Sequence, residues 1–167
     1  VNLLSLDKRL ASSSWKPPRW FRLWMIWASR AGNGPAWLFA VAIACGLLGS
    51  MKPFIWVCTS VALGQGVFLR LKRLYRRTRQ DAPDWHPVRP WCFDSFSFPS
   101  GHAVTAFAVA TSLSAFYPAW LVPLYLFAGN VAASRVVLRL HYLSDVLVGC
   151  CIGWGCGKVA LWLASGV

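Results

Sequence analysis

The chain has 167 residues, of which 57% are hydrophobic and only 13% charged. Its 17 Lys and Arg stand against 5 Asp and no Glu, a formal net charge of +12. A soluble domain carries about 25% charged residues, so an ordinary water-soluble globule is excluded. The apolar content equally excludes intrinsic disorder. What remains is a single-domain polytopic membrane protein, with its positive charge confined to a few places.

In chain order, residues 19–30 come first. Trp20, Trp24 and Trp27 recur at i, i+4, i+7 and share one helical face. Pro17 and Pro18 precede this stretch and Gly32 to Pro35 end it. Arg22 interrupts it, which argues against a cleavable signal. Aromatic residues on one face and Arg on the flanks suit a helix lying at the membrane surface. Residues 1–34 are therefore read as an N-terminal interfacial segment, and 35–167 as the transmembrane core.

Long uncharged runs define that core. They are residues 35–51, 53–69 and 103–134, followed by 146–167 with Lys158 as its one charge. A crossing needs about 20 apolar residues, so the run at 103–134 holds two, broken near Pro118. The expected spans are about 35–51, 53–70, 101–117, 119–138 and 142–164. The predicted fold is an all-α polytopic membrane bundle of five to six helices, the sixth arising if the Trp-faced helix crosses. Gly149, Gly153 and Gly157 give the last span a small-residue face for close helix contact. Five of the six cysteines lie in apolar spans and Cys92 sits alone in a loop. This spacing suggests neither a disulfide framework nor a zinc site.

Three polar segments interrupt the apolar chain. The first follows span two, where Lys72, Arg76 and Arg79 would share one face of a continuing helix. Basic residues beside a span also suit anionic lipid. The second is Pro99-Ser100-Gly101-His102, where Ser100 is placed as a helix N-cap. The free N–H groups of such a helix start attract anions. The third holds Arg135, His141 and Asp145. His141 and Asp145 are four apart and would stack on a helix, so that the acid fixes one ring nitrogen and leaves the other a lone pair. Arg135 offers a fork for phosphate oxygens. An Asp at a membrane span is costly and by default functional; the competing reading is an Asp145–Arg139 pair serving solubility. Simple crossings place all three segments on one side of the membrane, which makes a phosphate-binding constellation capable of acid/base chemistry.

These segments resemble the three-part signature K-x6-RP, PSGH and SR-x5-H-x3-D of the type 2 phosphatidic acid phosphatase (PAP2) superfamily. Pro99-Ser100-Gly101-His102 matches the second part completely, and Ser134-Arg135 with His141 and Asp145 matches the third. The first is matched by Lys72 and Arg79, with Gln80 in the place of the family proline. Arg89-Pro90 is a true Arg-Pro pair, but Ala82 stands where its lysine would be. Arg89 is instead assigned to the mouth of the pocket.

The resemblance implies that His141 attacks phosphorus, Asp145 orients it, and His102 protonates the leaving oxygen and then activates water. It implies that Lys72, Arg79, Ser100, Gly101 and Arg135 hold the phosphoryl oxygens, without metal or cofactor. The substrate so implied is a lipid phosphate or diphosphate, its tails remaining among membrane lipids. The short chain resembles bacterial members, hence a multi-pass protein of the bacterial inner membrane. Three alternatives use the same residues: a phosphotransferase, a vanadate-dependent oxidase, and a non-catalytic lipid-binding subunit. A Ser100 nucleophile is set aside because Ser100 serves better as a cap. Nucleic acid is excluded as a partner, because the cations sit beside spans and not on a soluble face.

Sidedness sets two arguments against each other. With five spans, 15 of the 17 cations fall on the active-site side, leaving only Lys52 and Lys158. The positive-inside rule then puts the site at the cytoplasmic face, whereas the resemblance implies the opposite face. The charge count is followed here. Single cysteines at positions 80 and 118, in a variant lacking native cysteines, should meet an impermeant thiol reagent on intact cells at 118 only. Labelling at 80 and not at 118 would reverse the orientation.

Overall fold

The computed structural model describes residues 3–12, 15–47, 49–79 and 96–166. Among them are seven α-helices: α1 (Leu3–Ser12), α2 (Arg19–Ala31), α3 (Gly34–Leu47), α4 (Lys52–Tyr75), α5 (Gly101–Phe116), α6 (Leu121–Val137) and α7 (Leu143–Ser165). A 3-10 turn at Pro118–Trp120 separates α5 from α6, the break expected near Pro118. The all-α bundle expected from the sequence is thus present, and its last five helices follow the five expected spans. Helix α4, the stretch from Pro118 to Val137, and α7 are each long and apolar enough to cross a membrane.

Helix α5 is the centre. It packs along α4, α6 and α7, and Ala103, Val104, Ala108 and Val109 are fully enclosed. Its residues are small because three neighbours approach it at once. Lipid tails are as apolar as a protein core, so close packing and internal hydrogen bonds must hold such a bundle together. Some of the polar groups inside are paired, while the buried Ser112 hydroxyl has no partner among the described residues. Gln65 Nε2 donates to Thr105 Oγ1 at 2.9 Å, and Thr111 Oγ1 meets the Tyr125 hydroxyl at 2.8 Å. Large apolar side chains such as Phe39, Leu47, Leu126 and Trp162 point outward instead, as a lipid-facing surface requires.

The glycine face of α7 lies against α5. A Cβ at Gly149 would stand 2.7 Å from the Ser100 carbonyl oxygen, and one at Gly153 would collide with that of Val104. At Gly157 it would meet Thr111 at 2.7 Å. The sequence reading of these three as a packing face is therefore met atom by atom.

Helix α2 lies on α6. Met25, Ile26 and Ser29 are buried, while Trp20, Trp24 and Trp27 are exposed. Met25 and Ile26 pack on Leu138 and Leu140, and Trp24 Nε1 donates to Asn130 Oδ1 at 3.3 Å. The 13 residues of α2 reach about 20 Å at 1.5 Å each, against a hydrocarbon core about 30 Å thick. Cys45 is buried in the core, whereas Cys151 is exposed. Cys92 lies outside the described residues.

Two glycine substitutions distinguish packing from propensity. Gly153→Ala should lower the melting temperature in detergent, because the added carbon collides with backbone that cannot yield. Gly155→Ala meets open space and should hold or raise stability, by up to about 1 kcal/mol from helix propensity. Equal stability of the two variants would refute the close approach of α5 and α7.

Candidate active site

The first signature segment folds differently from its expected form. Helix α4 stops at Tyr75, and Arg76 adopts the left-handed conformation at φ 41°, its N–H donating to Lys72 O. The chain then runs extended. Thr78 pairs with Phe96 in an isolated antiparallel bridge, and Ser97 N donates to Arg77 O at 2.7 Å. Arg79 therefore does not continue a helical face shared with Lys72 and Arg76. It reaches the site from the extended segment, where its Nη1 donates to Leu140 O at 3.0 Å. Lys72 is buried in the last turn of α4, with its ammonium 4.6 Å from the Phe68 ring centroid. Lys72 and Arg79 still lie within electrostatic reach of each other. Gln80 and Arg89 lie outside the described residues.

The second segment turns into the start of α5. Ser100 holds the N-cap position with extended backbone, but its side chain makes no capping bond. Its hydroxyl is buried and has no hydrogen-bond partner among the described residues. This corrects the capping role expected of it, and leaves a hydroxyl without a base bonded to it and open to a ligand oxygen. A Cβ at Gly101 would stand 3.2 Å from the Phe68 ring, so glycine lets Phe68 close against the loop. His102 follows in the first turn of α5.

The third segment is a tight reversal after α6. Arg135 sits buried in the last turn of α6, and its Nη1 donates to the Ser29 hydroxyl of α2. The N–H groups of Leu140 and His141 both donate to Arg135 O, at 2.9 and 3.1 Å. Arg139 takes the left-handed conformation at φ 53°, which turns the chain back before α7.

His141 thus precedes α7 and does not stack with Asp145 along a helix. Its Nδ1 lies 2.6 Å from the Ser97 carbonyl oxygen. A carbonyl can only accept, so Nδ1 carries the proton and Nε2 keeps the lone pair. Asp145 Oδ2 stands 3.8 Å from Nδ1, beyond hydrogen-bond length, and acts on the ring through charge. That carboxylate is held by Tyr142 N at 3.0 Å and by Arg77 Nη1 at 2.8 Å. The Asp145–Arg139 pair weighed from the sequence is replaced by Asp145–Arg77.

The segments are joined by backbone. Ser100 N donates to Asp145 O at 3.0 Å, tying the second to the third. His102 and His141 lie within electrostatic reach of each other, and of Arg79 and Arg135. Burial is the main force on His141, and with Arg135 and Arg79 it pushes the ring pKa down to about 4 against the upward pull of Asp145. The resting ring is therefore neutral, with its lone pair on Nε2. Ser29, Arg77 and Ser97 escaped the sequence reading. Ser97 acts through its carbonyl, which any residue could offer, and Ser29 lies 106 positions from its partner. For Arg77 the available signal was its place inside the basic segment.

Several curated proteins resemble the chain. A decaprenylphosphoryl-5-phosphoribose phosphatase of Mycolicibacterium smegmatis is 35% identical over 131 residues, covering 72% of this chain and 67% of that protein. A lipid A 1-phosphatase of Porphyromonas gingivalis is 39% identical over 82 residues, but the match spans 47% of this chain and only 18% of that protein. Phosphatidylglycerophosphatase B of Escherichia coli is 28% identical, with 85% of this chain and 66% of that protein aligned. Among solved structures, Aquifex aeolicus LpxE superposes with a TM-score of 0.78 at 25% identity, over 95% of this chain and 93% of that one. A Bacillus subtilis phosphatidylglycerolphosphate phosphatase gives 0.79 at 23% identity, over 99% and 87%, and shares the fold. The family model described as the PAP2 superfamily matches residues 53–166. That stretch is most of the chain and holds all three signature segments, so this membrane protein belongs to the PAP2 superfamily.

Proposed function

We propose that the chain is a lipid phosphatase that hydrolyses a phosphomonoester or diphosphate on a lipid head group through a phosphohistidine. The observation that carries the reading is the tautomer of His141. Its Nδ1–H is bound by the Ser97 carbonyl at 2.6 Å, which commits the lone pair to Nε2 for attack. Nε2 bonds to phosphorus as the phosphorus–oxygen bond to the lipid breaks. His102, its cation stabilised by the phosphate anion bound beside it, gives its proton to the leaving oxygen. The phosphorylated ring then carries positive charge, which Asp145 offsets from 3.8 Å. His102, now neutral, takes a proton from water; the hydroxide attacks phosphorus and the phosphorus–nitrogen bond breaks. Inorganic phosphate leaves and both histidines return to their starting states.

Phosphoryl transfer of this kind is mostly positioning and charge stabilisation. Lys72, Arg79 and Arg135 supply the charge, with the Ser100 hydroxyl and the Gly101 N–H beside them. The apolar outer surface of the bundle keeps lipid tails in the membrane while a head group meets this end. The named relatives are a lipid A 1-phosphatase, a decaprenylphosphoryl-5-phosphoribose phosphatase and a phosphatidylglycerophosphatase, which have in common a phosphate carried by a lipid. The substrate class is accordingly a lipid phosphate in the membrane. The N-terminal segment lies at the interface, where the exposed Trp20, Trp24 and Trp27 of α2 suit a membrane surface.

Purified protein in detergent should release inorganic phosphate from at least one of phosphatidate, phosphatidylglycerol phosphate, an isoprenyl phosphate or diphosphate, and lipid A. Release should continue in excess EDTA and stop with vanadate, which mimics five-coordinate phosphorus. Silence across the panel, or strict dependence on magnesium, would sink the proposal.

The nucleophile has its own test. His141→Ala should abolish turnover and the phosphate label trapped on the wild-type chain. The acid limb of kcat/KM reports the free enzyme's essential base, so it should lie near pH 4, below the usual histidine value of about 6.5. Asp145→Asn should cost about 100-fold or more in rate. It should also move the limb lower still, because the lost anion raises the basicity of His141. A limb near the usual value, or normal turnover without His141, would contradict the assignment.

A further inference from the structure

We infer that Arg77 and Asp7 form a clamp on Asp145, making the N-terminal helix α1 a positioning element of the active site. The inference rests on the reading of His141 and Asp145 given above. Arg77 is one of the six positions between Lys72 and Arg79 to which the resemblance assigns no role, and Asp7 lies outside the family match.

Arg77 stands between two buried acids. Its Nη1 donates to Asp145 Oδ1 at 2.8 Å, and its Nη2 donates to Asp7 Oδ2 at 3.1 Å. Nη1 also reaches the Ser144 hydroxyl at 2.7 Å, and the guanidinium lies 3.9 Å from the Tyr142 ring centroid. The two acids are 1% and 0% exposed. Two buried anions this close would repel each other strongly without the cation between them. The fork geometry matters, because one ammonium cannot reproduce two arms fixed in a plane.

Asp7 does more than balance charge. Its Oδ1 accepts from Ser144 N at 3.0 Å, and its Oδ2 accepts from the Ser144 hydroxyl. Ser144 lies in the first turn of α7, where N–H groups lack helical partners. An acid from α1 therefore caps the helix that carries Asp145, with its charge at the positive end of the helix dipole. Burial disfavours the Asp7 anion, but the bonds from Ser144 and Arg77 outweigh it and hold the carboxyl below the ordinary aspartate range. Both terminal nitrogens of Arg77 bond carboxylates or a hydroxyl of the protein, so Arg77 acts through Asp145 and not on the phosphoryl group.

The clamp sets how much of the Asp145 charge reaches His141. The groups facing His141 are Asp145 from α7, Arg135 from α6, Arg79 from the extended segment and His102 from α5. Arg77 partly neutralises Asp145, and Asp7 in turn partly neutralises Arg77. Removing Arg77 should expose the Asp145 anion and make His141 more basic. Removing the Asp7 charge should leave Arg77 more fully on Asp145 and make His141 less basic. The two changes have opposite signs, which a merely structural role for either residue would not produce.

The test uses the full-length protein in detergent with isotope-labelled histidine, following the ring signals of its three histidines by NMR titration. His141→Gln assigns the His141 signal. Arg77→Gln should raise the His141 titration midpoint, and the isosteric Asp7→Asn should lower it. Arg77→Lys should keep the midpoint nearer to wild type but still lose rate. Turnover is measured on whichever lipid phosphate the wild type cleaves. Misplacement of the acid by about 1 Å should cost Arg77→Gln roughly 100-fold in kcat, with KM little changed. Shifts of the same sign, or none, would overturn the clamp. If Arg77→Gln does not fold, Asp7→Asn decides alone: a lowered midpoint supports the clamp and an unmoved one overturns it. Because the titration needs no substrate, a wild type inactive on every lipid would overturn the proposed function and leave the clamp still tested.

Discussion

The active site depends on how closely α5 and α7 approach. The second and third signature segments sit at the starts of these two helices, so any spreading of the pair separates His102 from His141. Three glycines on α7 allow the contact, and the one nearest the site, Gly149, lies against the carbonyl of Ser100. The bond from Ser100 N to Asp145 O at 3.0 Å exists only at that separation. In lipid no hydrophobic force drives two helices together. The precision must come from fit, and fit between backbones requires residues without side chains. The proposed site, which needs its groups placed within about 0.5 Å, is thus built on a close backbone-to-backbone contact.

A second constraint is charge. Lys72, Arg135, His141, Asp7 and Asp145 are all buried at the same end of the bundle. Buried charges are tolerated only when partnered, and the partnering is uneven. The acids are satisfied within the protein: Asp145 by Tyr142 N and Arg77, Asp7 by Ser144 and Arg77. Arg79 and Arg135 reach a Leu140 carbonyl and the Ser29 hydroxyl among their partners, and both act electrostatically on His141. An entering phosphate finds fixed dipoles and cations where water would otherwise reorganise, the arrangement from which electrostatic catalysis draws most of its effect. The same cations help keep His141 neutral and able to attack.

The sequence revealed the helices and the chemical groups, but not how the groups are oriented. Uncharged runs located the spans because the bilayer forces length and composition together. The signature residues were legible because phosphoryl chemistry restricts their types. What failed was local extrapolation of helical periodicity. Lys72 and Arg79 were placed on one helical face, and His141 was stacked on Asp145, because seven- and four-residue spacings invite that reading. In each case a left-handed residue, Arg76 or Arg139, ends or reverses the chain. Nothing in the side chain of arginine advertises that conformation, which glycine would have signalled. The cap expected of Ser100 failed for a related reason. Its backbone is set for capping, yet the hydroxyl makes no cap bond, and residue type alone does not separate the two.

The same limit explains why the N-terminal helices looked peripheral. A Trp-faced, Arg-flanked stretch reads as a surface helix, and α2 does keep its tryptophans outside. Its opposite face, however, carries Ser29 to Arg135, just as α1 carries Asp7 to Arg77 and Ser144. Both residues lie before residue 53, where the family match begins, and each contacts the side chain or the helix of a signature residue. The family-matched region therefore holds the signature residues, while the segment before it contacts Arg135 directly and Asp145 through Arg77. Within one superfamily, chains that share the signature can differ in such supporting contacts, and a catalytic geometry sensitive to about 1 Å will register the difference. The part of the chain that carries no signature is thus where this protein can adjust its site without altering the chemistry.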